Sequence, residues 1–147
     1  MSILYKIRKN DGCVSIMQIL GETTPEEEIA KWNEADRTAV VSIAPIEAEA
    51  LPQDRYFRNA WRHADHGVEV DFEAAKQIKM NELRGLRNAA LKALDVDYVR
   101  ADEKGDVSAK KIISDKKQQL RDLPQQESFI GVDTLEQLKD YTPPILL

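Results

Sequence analysis

The sequence predicts an α+β fold: a small antiparallel β unit with a short helix, then a long α-helical hairpin, then a short C-terminal helix and an extended apolar tail. Three observations predict it. Two β-rich runs flank Asn10-Asp11-Gly12, and Asp-Gly is a strong hairpin turn pair. From Asp71 onward the apolar residues recur at helical rather than alternating spacing. The turn Asp102-Glu103-Lys104-Gly105-Asp106 then divides that helical pattern into a long piece and a shorter one. These signals divide the chain into regions 1–70, 71–124 and 125–147.

Taken in order, Ile3–Lys9 and Val14–Leu20 read as strands, the second ended by Gly21. Thr24 is a good N-cap, Pro25 sits at the favoured first helical position, and Glu27 completes a capping box. This short helix carries Ile29, Ala30 and Trp32 and is expected to end near Asn33–Asp36. Thr38–Ile43 is β-branched and reads as a third strand. Pro45 and Pro52 punctuate the stretch beyond it. Asp54–Trp61, rich in aromatics, reads as a strand or extended edge, and His63–Gly67 as a turn before Val68 and Val70.

The long helix is expected to start at an Asp71 N-cap and reach about Arg100. Its stripe is Phe72, Ala75, Ile78, Leu83, Leu86, Ala90, Leu94 and Tyr98. The second helix is expected over Ser108–Asp122, closed by Leu123-Pro124, with Ala109, Ile112, Ile113, Lys116, Leu120 and Leu123 as its stripe. So short a connection makes the two helices antiparallel. The second helix spans roughly 22 Å against roughly 45 Å for the first, so it covers only the later part. Phe72, Ile78 and Leu83 must then pack on the β unit or on another chain, and self-association or a partner is expected to complete the core. In the tail, Asp133 is the expected N-cap of a short helix from Thr134, and Pro143-Pro144 leads into Ile145-Leu146-Leu147, which is expected to dock.

Bulk properties exclude several functions. A chain of 147 residues makes one domain, or a small domain with a helical arm. A net charge of −5 disfavours phosphate-driven nucleic-acid binding and an anionic membrane surface. The single cysteine, Cys13, excludes an intrachain disulfide and a multi-cysteine zinc site. The N-terminus lacks a signal-peptide pattern, and no run approaches the ~18 apolar residues of a membrane span. A soluble protein made in a reducing cytoplasm is the expectation.

Little in the chain points to chemistry. His63, Asp65 and His66 supply metal-ligand types at the spacing of a loop, with no fourth ligand evident. The acids around the interhelical turn, Asp95, Asp97, Asp102 and Asp106, lack the alternation of a calcium loop. Cys13 has no base beside it in sequence. No catalytic residue, cofactor or metal is expected. Tyr56, Phe57 and Trp61 interleave with Arg55, Arg58 and Arg62, a combination that can stack bases or anchor a protein interface. The acidic whole favours the protein. Candidate interface residues are Tyr56, Phe57, Arg58, Trp61, Phe72, Ile78, Leu83, Leu86, Ile145 and Leu146. Leu86→Asp or Leu120→Asp is expected to break the hairpin, and Trp61→Ala to weaken partner binding more than folding.

Asp54-Arg55-Tyr56-Phe57-Arg58-Asn59-Ala60-Trp61, trailed by Val70-Asp71 and a long helix, resembles small proteins encoded in tailed-bacteriophage tail regions. Arg84-Gly85-Leu86-Arg87, Leu91, Leu94-Asp95 and Leu120-Arg121-Asp122-Leu123-Pro124 look like the C-terminal helical region of phage tail-fibre assembly and tail-associated proteins. Tyr141-Thr142-Pro143-Pro144 is similar to that family's W-P-x-x-P close, without the tryptophan and at a different spacing. The resemblance covers about the last three-fifths of the chain. It implies a role in virion assembly or structure, and with the uncovered stripes the expectation is a non-enzymatic virion component of the tail or fibre-attachment region, a homo-oligomer contacting other tail or fibre proteins. The alternatives are a tail-fibre assembly chaperone that leaves the particle, and, from another class, a small regulatory or enzyme-like protein using Cys13 or the histidines.

Overall fold

A computed structural model describes residues 2–147. The chain divides into two compact units, Met1–Ala75 and Lys76–Leu147, so the hairpin and the C-terminal segment belong to one unit. The α+β architecture is as the sequence predicts: strands first, then a long helix pair and a short last helix.

In the first unit β1 (Ser2–Lys9) and β2 (Val14–Leu20) form an antiparallel hairpin in register Ser2↔Leu20 to Arg8↔Val14. The turn is a three-residue loop, Asn10–Gly12. Gly12 alone takes positive φ, at 82°, and the Asp11 carboxylate accepts the Cys13 N–H at 2.8 Å. The capping box of α1 (Pro25–Ala30) forms as the sequence predicts. This helix ends sooner than expected, because Asn33 caps a second one, α2 (Glu34–Thr38), by accepting the Asp36 N–H at 2.9 Å. The Thr38 hydroxyl donates back to the Glu34 carbonyl, which holds Thr38 in that helix and starts β3 later, at Val40–Pro45. The sheet order is β2-β1-β3, all antiparallel.

Asp54–Ala60 is not a strand, and only Trp61 of the expected segment enters one. The Asp54 carboxylate accepts the Tyr56 N–H at 2.8 Å, and a 3₁₀ turn comes next at Arg58–Ala60, so side chain-to-backbone bonding overrides the aromatic strand propensity. The turn expected over His63–Gly67 shrinks to Asp65-His66. It joins β4 (Trp61–Ala64) to β5 (Gly67–Val70) in a two-stranded hairpin. Gly67 is required there: its φ is 142°, and a Cβ would meet the Ala50 carbonyl oxygen at 2.7 Å.

The β1–β2 register sorts side chains to two faces. Leu4, Lys6, Val14, Ile16 and Gln18 share one face; Tyr5, Ile7, Met17 and Ile19 share the other. Lys6 is buried on its face and donates to the carbonyls of Ala64 and Gly67, each at 2.9 Å, which fastens the β4–β5 turn to the sheet.

The long helix α3 (Phe72–Glu103) has 32 residues and a length of about 48 Å. Asp71 caps it, accepting the Ala74 N–H at 3.1 Å. After the turn at Gly105 (φ 65°), α4 (Val107–Gln126) runs back antiparallel. Lys117 pairs with Asp95 and Lys110 with Asp102, and both ammonium groups lie over the Tyr98 ring. Two expectations need correction. Pro124 does not close α4, which passes through it to Gln126; Pro fits helical φ and forfeits one bond, to the Leu120 carbonyl, near the end of the helix. Thr134, not Asp133, caps α5 (Leu135–Asp140), because its hydroxyl reaches the Gln137 N–H at 3.1 Å and Gln137 completes the box.

Candidate functional site

The expected interface residues fall into three groups. Phe57, Trp61 and Leu83 are only 5%, 4% and 1% exposed, so the chain itself buries them and they are core rather than contact positions. Trp61→Ala is therefore a folding defect first. Phe72, Ile78, Ile145 and Leu146 are half-buried. Tyr56, Arg58 and Leu86 are exposed; Tyr56 packs edge-on against Phe57 with ring centroids 4.7 Å apart.

Leu86 corrects the expected stripe. From Leu83 onward the positions of α3 facing inward are Leu83, Arg87, Ala90, Leu91, Leu94, Tyr98 and Ala101. Leu86 begins a different line, with Ala89, Ala93 and Val96, all exposed; Leu86 is 46% and Val96 51% exposed. Their 3-4-3 spacing puts them on one face of the helix. Lys92 and Asp97 border this face with opposite charges. On α4 the inward line is Ala109, Ile113, Lys117 and Leu120, whereas Ile112, expected in the stripe, is 68% exposed.

In the first unit a second surface surrounds β2, the terminal strand of the sheet. A cavity of about 430 Å³ is lined by every residue from Ser15 to Leu20 together with Ile7, Glu28 and Trp32. Ile7, Met17 and Ile19, which share one face of the sheet, are among its walls, so it opens on that face. On the Leu4 face two clefts of about 240 and 500 Å³ share Ile16, Arg55 and Trp61. Arg58 and Asn59 line the first of these clefts. The sequence points to Arg58 and Trp61 here but not to β2, because an open edge is a matter of which strands pair rather than of composition.

Among the described residues no group of three or more His, Cys, Asp or Glu is arranged to hold a metal ion. His63 Nδ1 is buried without a hydrogen-bond partner. Burial and the Asp11 side chain push the Cys13 thiol up, and its sulfur accepts from Arg62 Nη1 at 3.3 Å. Among the described residues no helix is long and apolar enough to cross a membrane. Comparison with family models, curated proteins and solved structures finds no match to this chain.

Proposed function

We propose that this chain is a non-enzymatic structural component of a tailed-bacteriophage virion, in the tail or fibre-attachment region, acting through protein–protein contacts. The observation that carries the contact role is the exposed line Leu86, Ala89, Ala93 and Val96 on α3. The phage context rests on the resemblance of the Asp54–Trp61 segment and of the two long helices. The occupant of the line is a second copy of the same chain, helix beside helix and parallel. In that register Lys92 of one copy meets Asp97 of the other, five residues on, as flanking charges do in a parallel coiled coil. The small alanines let the two backbones approach closely.

Quantitative mass spectrometry of purified particles of the encoding phage tests the placement: a fixed copy number per virion is expected. Its absence from particles, with the protein abundant in infected cells, assigns the chaperone role instead. Sedimentation of the chain tests the pairing. A concentration-dependent dimer is expected, and Ala93→Lys, which places two like charges across the seam, should return it to monomer.

A further inference from the structure

We propose that the free edge of β2 receives an extended segment of a partner protein as an added strand, one whose apolar side chains alternate with acidic ones. The edge is built to pair. Val14–Leu20 carries no charge, proline or glycine, so it has none of the devices that keep an edge strand from accepting another. The opposite edge, β3, ends in Pro45 and sits beside a register shift at Arg8/Lys9. The isolated bridge Cys13↔Arg62, just before β2, brings β4 beside the start of this edge, and among the described residues no strand pairs with Val14–Leu20 on that side.

The hollows say which side chains fit. An incoming strand sends alternate residues to the two faces of the sheet. On one face they meet the 430 Å³ cavity, where Ile7, Met17, Ile19 and Trp32 offer apolar wall and Glu28 is already paired with Lys31 at 2.6 Å. On the other face they meet the clefts lined by Arg55 and Arg58, whose guanidiniums make no ion pair among the described residues. Two unpaired guanidiniums in a chain of net charge −5 ask for carboxylates. The same charges disfavour a second copy. A two-fold pairing of β2 centred on Met17 brings the two Arg55 residues to the same face beside the axis, which costs repulsion. This inference is independent of the α3 pairing and of whether the protein stays in the virion.

The test uses the full chain and capped seven-residue peptides. One alternates valine and glutamate; in a second lysine replaces glutamate; a third and a fourth are the valine–glutamate peptide N-methylated at every second amide, in the two alternate patterns. Hydrogen exchange should show alternate amides of Ser15–Leu20, those not bonded to β1, protected by the first peptide. Its affinity should exceed that of the lysine peptide by about tenfold. The Arg55→Ala/Arg58→Ala variant, altered at two exposed positions, should keep its melting temperature and lose that preference. N-methylation, which blocks a backbone ladder without touching the protein, should abolish binding in one of the two alternate patterns. Equal binding of the glutamate and lysine peptides overturns the proposal, as does binding indifferent to both methylation patterns. So does protection of Ser15–Leu20 that grows with protein concentration alone, because a second copy then fills the edge.

Discussion

The two units hide a lysine ammonium in different ways, and the difference shows what closes each of them. In the sheet unit Lys6 donates to two backbone carbonyls 58 and 61 residues away, so its charge is solvated by a turn. In the helical unit Lys79, only 3% exposed, donates to the Lys139 carbonyl at 2.7 Å and lies 3.5 Å from the Glu82 carboxylate, one turn away on its own helix. Both units are thus tied by a lysine bond that spans the sequence, over 58 and 61 residues in the sheet unit and 60 in the helical one; the difference is that Lys79 also has a carboxylate beside it, whereas Lys6 relies on backbone carbonyls. The helical unit closes on a line of buried apolar residues, Met80, Leu83, Ala101, Leu120, Leu123, Phe129, Val132 and Leu138, with charge pairs along its rim. Rim pairs as exposed as these add little, because water and salt screen them.

The sharpest test puts a charge into that line. Leu120 is fully buried, and Leu120→Asp should cost about 4 kcal/mol or more, because the carboxylate has no partner there. Far-ultraviolet circular dichroism should show most of the helical signal lost. At dilutions where the chain is monomeric, Leu86→Asp, at an exposed position, should stay within about 0.5 kcal/mol of the parent. If both variants melt alike, the division of α3 into an inward and an outward line is wrong.

The corresponding test in the sheet unit is Lys6→Met. The methionine keeps the apolar stem and removes the donor, leaving the Ala64 and Gly67 carbonyls without their long-range bond. Destabilisation of about 2–3 kcal/mol in a denaturant titration is expected. Loss should appear first as exchange of the β4–β5 amides. A variant as stable as the parent would mean that these carbonyls find another donor and that the turn is held by other contacts.

How much of the fold and of the candidate site is legible in the sequence depends on the range of each interaction. The capping box at Thr24 and the turn at Gly12 are local, and the residue types alone announce them. The hairpin helices announce themselves by periodicity. Asp54–Trp61 misleads because aromatic content favours a strand, while one Asx bond from Asp54 sets a turn. Lys6 is invisible as a core residue, since its partners lie across the unit. Leu86 falls to the wrong line because 3.6-residue periodicity over 32 residues fits two stripes, and only the position of α4 decides between them. The β2 edge is illegible for the same reason: whether β3 lies beside β1 or beside β2 is set by the sheet order, and no residue of β2 encodes it.

The smallest effect concerns the last segment of the helical unit. Glu127 accepts the Phe129 N–H at 2.7 Å and the Tyr141 hydroxyl at 2.8 Å, and the Phe129 and Tyr141 rings meet edge to face. Phe129 holds φ 52°, an unfavourable angle for a non-glycine residue, so these bonds keep a locally costly turn in place. Tyr141→Phe should cost about 1 kcal/mol. Burial, with the Glu127 bond beside it, pushes the Tyr141 phenol up to about 12 from an ordinary value near 10. The raised pKa fixes the sign: this contribution is fully present below about pH 10 and is lost as pH climbs through about 12, where the phenolate faces the Glu127 carboxylate. The phenolate absorbance of the parent minus that of Tyr141→Phe should therefore rise with a midpoint near 12, and the Phe variant should lose less stability than the parent between pH 10 and 12. A difference titration centred near 10 would place Tyr141 in water and detach it from Glu127.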